Sequence, residues 1–399
     1  MQNNDIDFQP NDIVKTCKYL EKGLCFQLWG LQCCCHGSKS SPVIVSTEEI
    51  NNGSVSYDLI VQRKKDLFLG INGKKNIDLG GCKGCSHLIE KKYKDVHFDY
   101  IGGEYLPGAF NIQHYTSCNE KCVYCPYAQE NKFEIPQYDI LQIWELFRKK
   151  RKLKGNNWID FSGGEPAILK NFNEIIDYIY KNKMGFTVVF SNATIFSQSI
   201  YDKLRCNKIA LTTSIDTGIK SKYAEIKGVD KYSNVISNLV QYRNSGTKKL
   251  WIKYVITDCN QTEDDMWSFI MAMLAIRPNK IQISPEFPYG DKQISVETVK
   301  YAAKLWYNLE MYCGKIVEDG VSAHGDIKIV QYHKQLKKEF DLLKTKRPMK
   351  KDLRLKQFNN NPSLILQFLK YANNRIPNNK IWNSIRYYAG KILTSWGIY

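Results

Sequence analysis

Apolar strand-like runs and amphipathic helices alternate six times between about residue 109 and residue 312, and this alternation constrains the fold more than any other feature. In the first helix, Ile140, Ile143, Trp144 and Phe147 recur at helical spacing. Strands joined through helices form a parallel sheet with right-handed crossovers. Six units are too few for an eight-stranded barrel, so we expect an α/β fold, a curved partial (β/α)6 TIM-like barrel. The predicted strands are 109–115, 158–162, 186–191, 209–215, 250–256 and 280–284, and the helices 137–153, 172–183, from 198, 235–242, 264–276 and 296–312.

Three cysteines, Cys118, Cys122 and Cys125, follow the first predicted strand at C-x3-C-x2-C spacing. Three thiolates can bind three irons of a 4Fe-4S cube and leave the fourth iron without a protein ligand. An open metal position is where a substrate or cofactor can bind. Reactive groups in such barrels lie at the carboxyl ends of strands, which is where this loop is expected.

A glycine pair ends the second predicted strand in the sequence Gly163-Gly164-Glu165-Pro166. Glycines let the backbone approach a ligand where a Cβ would clash, and they can adopt positive φ. Together with the cysteine triad and with Tyr124 just before its third member, this motif resembles the radical S-adenosylmethionine (SAM) enzymes. The resemblance covers roughly residues 109–323, over half of the chain, and a partial (β/α)6 barrel is the core fold of that family.

The resemblance implies a role for several residues at the ends of the strands. Cys118, Cys122 and Cys125 would hold the cluster at which SAM is cleaved, and Gly163, Gly164, Glu165 and Pro166 would bind the methionine amino group. Tyr124 is similar to the family's aromatic residue near the adenine, Ser214 and Asp216 resemble its ribose contacts, and Asn192 is a further candidate for that pocket. Ordinary strand-end capping is the alternative for Ser214, Asn192 and Asp216. Lys253 lies on the fifth predicted strand and Glu286 at the end of the sixth. They could equally form a buried ion pair, and they are left out of the catalytic set.

The region before residue 107 is rich in cysteine and glycine, and short apolar runs at 24–28, 43–45 and 57–61 predict strands there. Cys82 and Cys85 form a C-x-x-C pair, a spacing that points two thiolates at one metal site. Cys17 and one member of Cys33-Cys34-Cys35, taken as Cys34, would complete four ligands, and Cys25 is a further candidate. Adjacent cysteines in an extended chain point in opposite directions, so not all three can face one site. The region resembles the auxiliary-cluster domains of the SPASM and twitch type, although those usually follow the barrel.

This N-terminal region therefore predicts a second 4Fe-4S cluster, with a structural zinc site or buried free thiols as alternatives. The chain has 13 cysteines, and Met1 to Pro10 lacks the apolar run of a secretion signal. Metal ligation or reduced thiols are therefore expected rather than disulfides.

The formal net charge is +17, which favours an anionic substrate or surface, with a lysine-rich soluble surface as the plain alternative. From Gly314 onward, 17 Lys or Arg stand against 6 Asp or Glu. Residues 327–346 predict a basic helix, and Asn361-Pro362 opens another. Ile381, Ile385, Tyr388, Ile392 and Trp396 form the apolar face of a last helix, which could lie in a membrane interface or pack on its own protein.

The sequence thus predicts three domains: a cysteine-rich domain (1–107), a radical SAM barrel (108–325) and a basic helical extension (326–399). The predicted activity is reductive cleavage of SAM followed by hydrogen abstraction from a glycan, a lipid-linked molecule or a peptide. The alternatives are an RNA-modifying radical SAM enzyme and a non-catalytic iron–sulfur protein, although no stacked-aromatic pattern favours nucleic acid. A flavodoxin or ferredoxin would supply electrons. No run approaches eighteen apolar residues, so no membrane-spanning helix is expected. We expect a cytoplasmic protein that could also contact the membrane surface through its last helix.

Overall fold

The computed structural model describes residues 8–34, 41–96, 107–153, 155, 157–286, 294–318 and 327–346. The chain divides into two compact units. Unit 1 consists of Met1–Asn119, Glu130–Ser191 and Lys208–Ala210, and unit 2 of Glu120–Gln129, Asn192–Asn207 and Leu211–Tyr399. These bounds differ from the predicted boundaries at residues 107 and 325, and the three-domain division remains a prediction of the sequence.

Unit 1 is built on a mixed sheet whose strands lie in the order β8-β7-β6-β2-β3-β4. The strands β2, β6, β7 and β8 are parallel, and β3 and β4 continue the sheet as antiparallel strands. Strands β1 and β5 form a separate antiparallel pair. The strands of this unit are β1 (Ile13–Thr16), β2 (Gly23–Gln27), β3 (Gly30–Gln32), β4 (Val43–Ser46), β5 (Ile89–Lys92), β6 (Ala109–Gln113), β7 (Asn157–Phe161) and β8 (Gly185–Phe190), and the helices are α1 (Lys18–Lys22), α2 (Thr47–Asn51), α3 (Tyr57–Ile71), α5 (Ile140–Lys149) and α6 (Phe172–Lys181).

Unit 2 contains a parallel sheet in the order β11-β10-β9, with helices between consecutive strands. The strands are β9 (Ile209–Ser214, whose first two residues belong to unit 1), β10 (Leu250–Ile256) and β11 (Lys280–Pro285). The helices are α4 (Pro126–Gln129), α7 (Gln198–Arg205), α8 (Lys220–Lys227), α9 (Tyr232–Asn244), α10 (Glu263–Ile276), α11 (Val296–Cys313) and α12 (Ile327–Lys346). The Trp306 ring of α11 stacks on Phe340 of α12, with centroids 4.1 Å apart.

The predicted fold class is confirmed, because the six predicted strand–helix pairs are present as β6 to β11 with their helices and every described neighbour pair among them is parallel. This is the arrangement that a partial (β/α)6 TIM-like barrel requires. The basic helix predicted at 327–346 is α12. The helices predicted after Asn361 and at 381–396 lie outside the described residues.

The strand predicted at 57–61 is wrong, because these residues begin the 15-residue helix α3. Its buried residues recur at helical spacing: Ile60 and Val61 follow Tyr57 by three and four residues, and Phe68 follows Val61 by seven. The Ser56 hydroxyl accepts a hydrogen bond from the Leu59 amide at 3.1 Å and starts the helix. A short apolar run alone does not separate a strand from one buried turn of a helix.

The cysteine-rich region shares its sheet with the first strand of the predicted barrel, since β2 pairs with β6 from Gly23 opposite Ala109 to Gln27 opposite Gln113. Phe26 of β2 is fully buried, with its ring centroid 6.3 Å from Phe110 of β6 and 5.9 Å from Trp144 of α5. The core of unit 1 is therefore made by residues from both sides of the predicted boundary at 107.

Replacing Phe26 by Ala should destabilise the protein by about 3–5 kcal/mol, because the substitution would leave a large cavity between β2, β6 and α5. Phe190, which is 38% exposed, provides the control, and Phe190→Ala should cost about 1 kcal/mol or less. Urea denaturation followed by circular dichroism measures both changes. Equal losses in the two variants would contradict a core shared by β2 and β6.

Candidate functional site

The glycine pair after β7 lies directly against the backbone that precedes the first cysteine of the triad. Gly163 has φ +103°, and a Cβ there would stand 2.5 Å from the Tyr115 carbonyl oxygen. A Cβ on Gly164 would stand 1.9 Å from the Ser117 carbonyl oxygen. The Gly164 amide donates to the Tyr115 carbonyl at 3.3 Å, and the Glu165 amide to the Ser117 carbonyl at 2.9 Å. Any larger residue would separate this turn from the chain that leads into Cys118.

Glu165 continues the glycine turn and is buried, with 2% of its surface exposed. Its Oε1 accepts hydrogen bonds from the Ala167 amide at 3.0 Å and the Ser191 hydroxyl at 2.8 Å. The carboxylate therefore joins the end of β7 to the residue that follows β8. Pro166 is buried at the start of the next short turn.

The later part of the cysteine loop is fastened to helix α8 in unit 2. The Lys121 amide donates to the Lys227 carbonyl at 2.8 Å, and the Val123 amide donates to the Ile226 carbonyl at 2.9 Å. The Cys125 amide donates to the Cys122 carbonyl at 2.9 Å, which closes the turn between these two cysteines. Cys118, which belongs to unit 1, and Cys122 and Cys125 are each half-buried.

A buried ion pair lies beneath this loop, and its two members are Asp216 and Lys227. The Lys227 Nζ stands 2.6 Å from Asp216 Oδ2, and both side chains are at most 2% exposed. The Tyr124 hydroxyl donates to the same carboxylate oxygen at 2.7 Å, and the Val255 amide donates to Oδ1 at 2.8 Å. The Lys227 Nζ also donates to the Tyr124 hydroxyl at 2.5 Å.

Glu120 forms a second buried contact with the loop. Its Oε1 accepts from the Tyr223 hydroxyl at 2.6 Å, and its Oε2 accepts from the Cys122 thiol at 3.6 Å. Burial raises the pKa of Glu120 above its ordinary value. Nothing in the spacing of Glu120 or Lys227 marked them in the sequence, since each is a single charged residue whose burial only the tertiary structure reveals.

Two of the three candidate ribose-binding residues, Asp216 and Asn192, accept hydrogen bonds from other residues of unit 2. Both carboxylate oxygens of Asp216 accept hydrogen bonds from this chain, and Asn192 Oδ1 accepts from the Thr194 amide and hydroxyl at 3.0 and 2.8 Å. These contacts resemble the strand-end capping noted as the alternative for these residues. Ser214 is half-buried at the end of β9. Their binding of a cofactor remains a prediction.

The ion pair considered between Lys253 and Glu286 is absent from the described part of the chain. The Glu286 amide instead donates to the Ile256 carbonyl at 2.9 Å, as the next rung after β11. The Lys253 side chain projects from the middle of β10, in register with Ser214 and Gln282.

Five cysteines of unit 1 line one pocket, which also contains His87. Cys17 caps the start of α1, and Cys33 and Cys34 follow β3. Cys82 ends a short helical turn, and Cys85 follows that turn. All five of these residues line the pocket. Burial raises the pKa values of Cys33 and Cys82 to about 12. Adjacent residues Cys33 and Cys34 both reach the pocket because β3 ends at Gln32.

Of the two other N-terminal cysteines, Cys25 is among the described residues. Cys25 is buried in β2, where it accepts from Gln27 Nε2 at 3.2 Å and donates to Asn111 Oδ1 at 3.6 Å, and it does not line the pocket. Cys35 lies outside the described residues. Of the candidates for the fourth ligand, Cys33 and Cys34 are therefore the two that the structure places at the pocket.

A fully buried lysine on α3 accompanies these thiols. Lys64 is 0% exposed, and its Nζ donates to the Gly23 carbonyl at 2.6 Å. Burial lowers its pKa to about 8, while the nearby thiols of Cys33, Cys17 and Cys34 act in the opposite direction. A positive charge beside several cysteines favours their thiolate forms, which are the forms that bind metal.

No three Cys, His, Asp or Glu side chains in the described ranges are arranged around a single metal-ion position. The thiolates of an iron–sulfur cube each bind a different iron, so they need not converge on one point as the ligands of a zinc ion do. Several thiols are a donor set that an iron–sulfur cluster and a structural zinc site share, so the kind of metal site remains a prediction. Within the same ranges, no helix is long and apolar enough to cross a membrane.

Comparison with known families finds that residues 112–272 match the model of the radical SAM superfamily. A GTP 3′,8-cyclase of Clostridium botulinum is 25% identical over 177 residues, which cover 44% of this chain and 54% of the relative. The GTP 3′,8-cyclase of Pasteurella multocida is 23% identical over 170 residues, covering 40% and 50%. The chain thus spans about half the length of the curated relatives it matches.

Among solved structures, Streptococcus suis SuiB bound to S-adenosylmethionine aligns with a TM-score of 0.43 and 18% identity, over 52% of this chain and 48% of that one. The structure of anSMEcpe with bound AdoMet and the Cp18Cys peptide aligns with a TM-score of 0.42 and 18% identity, over 52% and 62%.

Replacing Lys227 by Met should destabilise the protein by about 3–5 kcal/mol, because it leaves the Asp216 carboxylate buried without its counter-ion. The double variant Lys227→Met with Asp216→Asn should recover part of that loss, since it removes the unpaired charge. Urea unfolding of the wild type, both single variants and the double variant measures the coupling. Strictly additive losses would show that the two side chains do not stabilise each other.

Proposed function

Residues 112–272 of this chain form a domain of the radical SAM superfamily, and from this premise we propose that the protein is a radical SAM enzyme that abstracts hydrogen from an anionic substrate. The observation that carries the proposal is the glycine turn against Ser117, because it combines the two motifs of the family in one backbone contact. The complete cysteine triad within eight residues of the chain supports it further.

The described residues fit the cofactors that this function requires. Cys118, Cys122 and Cys125 would hold a 4Fe-4S cluster, since three thiolates leave one iron open. When bound, the cluster supplies the electron that cleaves SAM to methionine and a 5′-deoxyadenosyl radical, which takes hydrogen from the substrate. The Gly163–Pro166 turn would receive the methionine end of SAM, and its lack of side chains at Gly163 and Gly164 lets it lie directly against the backbone that leads into Cys118.

The remaining task of this chain is to hold the reacting groups in place and to keep water away from them. The Asp216–Lys227 pair and the Tyr124 hydroxyl fix the cysteine loop to α8, so that Cys122 and Cys125 keep one orientation. Asp216 thereby acts as a positioning residue, in addition to the predicted ribose contact. A ferredoxin or flavodoxin would act as the reductant.

The substrate class is proposed from charge and from the relatives. The net charge of +17 favours an anionic molecule, and the GTP 3′,8-cyclases carry the name of a nucleotide substrate. An anionic glycan or lipid-linked phosphate, or an acidic peptide, has the same charge complementarity. A radical SAM enzyme acting on RNA remains the second enzymatic candidate on charge alone. Contact with an anionic membrane would involve residues 381–396, which lie outside the described residues, within an otherwise cytoplasmic protein.

After anaerobic reconstitution, the protein should form 5′-deoxyadenosine from SAM and dithionite, and Cys122→Ala should reduce this product to background because one cluster ligand is lost. The matched control is Cys206→Ala, since Cys206 is an exposed cysteine at the end of α7. Chromatographic quantification of 5′-deoxyadenosine is the measurement. Wild-type protein with a full cluster and no product would instead support a non-catalytic iron–sulfur protein.

We further propose that the pocket of Cys17, Cys33, Cys34, Cys82 and Cys85 holds a second 4Fe-4S cluster. Four of these five thiols suffice for a closed cluster, and Cys17, Cys34, Cys82 and Cys85 are the predicted set. Lys64 would offset the negative charge that the thiolates bring into a buried site. Such a cluster could accept an electron from the substrate or anchor it.

Replacing Cys118, Cys122 and Cys125 together by Ala should leave about four irons per chain, because the second cluster keeps its own ligands. Adding Cys82→Ala and Cys85→Ala should remove this iron, whereas adding Cys25→Ala should not, since Cys25 lies outside the pocket. Metal analysis and electron paramagnetic resonance of the reduced protein distinguish these cases. Zinc in place of iron, or no metal, would refute the second cluster.

A further inference from the structure

One face of the β9–β10–β11 sheet in unit 2 is polar. On β10, Tyr254 packs against Phe269 of α10 and Tyr301 of α11, so the helices cover its side of the sheet. Successive side chains of a strand point to opposite faces, so Lys253 projects from the other side. The strand register places further residues on that side, which we call the polar face: Thr212, Ser214, Trp251, Lys253, Lys280, Gln282 and Ser284.

Lys253 lies near the centre of the polar face and has no hydrogen bond or ion pair with any described residue. Its register neighbours are Ser214 on β9 and Gln282 on β11. The nearby Asp216 carboxylate already binds the Lys227 ammonium, the Tyr124 hydroxyl and the Val255 amide. Burial lowers the pKa of Lys253 and outweighs the opposing effect of Asp216. Lys253 is half-buried. A partly desolvated ammonium without a partner is costly, and an anion placed beside it would relieve that cost.

Two hydroxyls on the same face also lack partners. Thr212 and Ser284 are 8% and 7% exposed, and neither Oγ1 of Thr212 nor Oγ of Ser284 has a hydrogen-bond partner in the described structure. Ser284 is in register with Val255, two residues beyond Lys253 on the same face, and Thr212 precedes Ser214, the neighbour of Lys253. Buried polar groups are usually satisfied, so unsatisfied donors flanking an ammonium indicate a missing acceptor.

The neighbouring lysine of the polar face is different. Lys280 Nζ lies 2.6 Å from Glu318 Oε1 and 4.2 Å from the centroid of the Trp251 ring. Its charge therefore already has a carboxylate and an aromatic partner. Lys280 and Lys253 carry equal charge on the same sheet face, which makes Lys280 a matched control for Lys253.

We propose that Lys253, assisted by the hydroxyl of Ser284, binds a phosphate group of the substrate on this face. A phosphate has several acceptor oxygens, which match an ammonium with three donors and a hydroxyl on the same face. The assignment deepens the proposed function, because it makes Lys253 a substrate-binding residue and the substrate a phosphate-bearing small molecule.

The test uses inorganic pyrophosphate as the probe, titrated calorimetrically into the reconstituted protein saturated with SAM. Lys253→Met should weaken pyrophosphate binding about tenfold or more, which corresponds to about 1.4 kcal/mol. Lys280→Met should change it much less, and Lys253→Arg should retain most of the affinity because it keeps the charge. Ser284→Ala should give a smaller loss than Lys253→Met. Equal affinities for the wild type and Lys253→Met, or displacement of pyrophosphate by equimolar acetate, would overturn the phosphate assignment.

A second measurement separates substrate binding from cofactor binding and from the proposed function. Lys253→Met should lose pyrophosphate affinity by a larger factor than SAM affinity, when SAM is titrated separately into the same reconstituted proteins. A loss of SAM affinity equal to the loss of pyrophosphate affinity would assign Lys253 to the carboxylate of SAM and refute the proposal. Absence of 5′-deoxyadenosine from the wild type would refute the proposed function, while the pyrophosphate titrations would still decide the role of Lys253.

Discussion

The buried ion pair of Asp216 and Lys227 is the interaction on which the candidate site in unit 2 depends. A carboxylate and an ammonium taken out of water repay their desolvation only when further hydrogen bonds satisfy them, and here Tyr124 and the Val255 amide do so. The pair connects the turn after β9, the end of α8 and strand β10. The backbone of the cysteine loop then pairs with Ile226 and Lys227, so the position of Cys122 follows from this pair.

Close backbone approach plays the corresponding part in unit 1. Gly163 and Gly164 touch the carbonyls of Tyr115 and Ser117 at distances that leave no room for a side chain. Two segments distant in sequence, the turn after β7 and the chain before Cys118, are thereby held together by the backbone itself. Such a contact is independent of side-chain rotamers, which suits a loop that must present a thiol to a metal cluster.

Both units place positive charge where anionic groups are expected, but they do so differently. In unit 1, Lys64 is fully buried next to the thiols of one pocket, which suits thiolates that carry negative charge when metal is bound. In unit 2, Lys227 is neutralised by Asp216, whereas Lys253 has no hydrogen-bond or ion-pair partner among the described residues. It lies on the same sheet face as the unsatisfied hydroxyl of Ser284. The net charge of the chain therefore does not by itself identify a binding site, because exposed or paired charges contribute to it as well.

The sequence by itself determined the alternating strands and helices, the cysteine triad and the glycine turn, because period, spacing and the need for glycine are local properties. The strand predicted from the apolar run at the start of α3 was wrong, because one turn of a buried helix and a short strand have the same apolar composition. Only the tertiary structure decided that Cys33 and Cys34 line a pocket with Cys82 while Cys25 does not, and that Lys227 is paired while Lys253 is not. The reason is physical: burial, ion pairing and unsatisfied hydrogen bonds depend on residues far apart in the chain, and no local pattern encodes which of them meet.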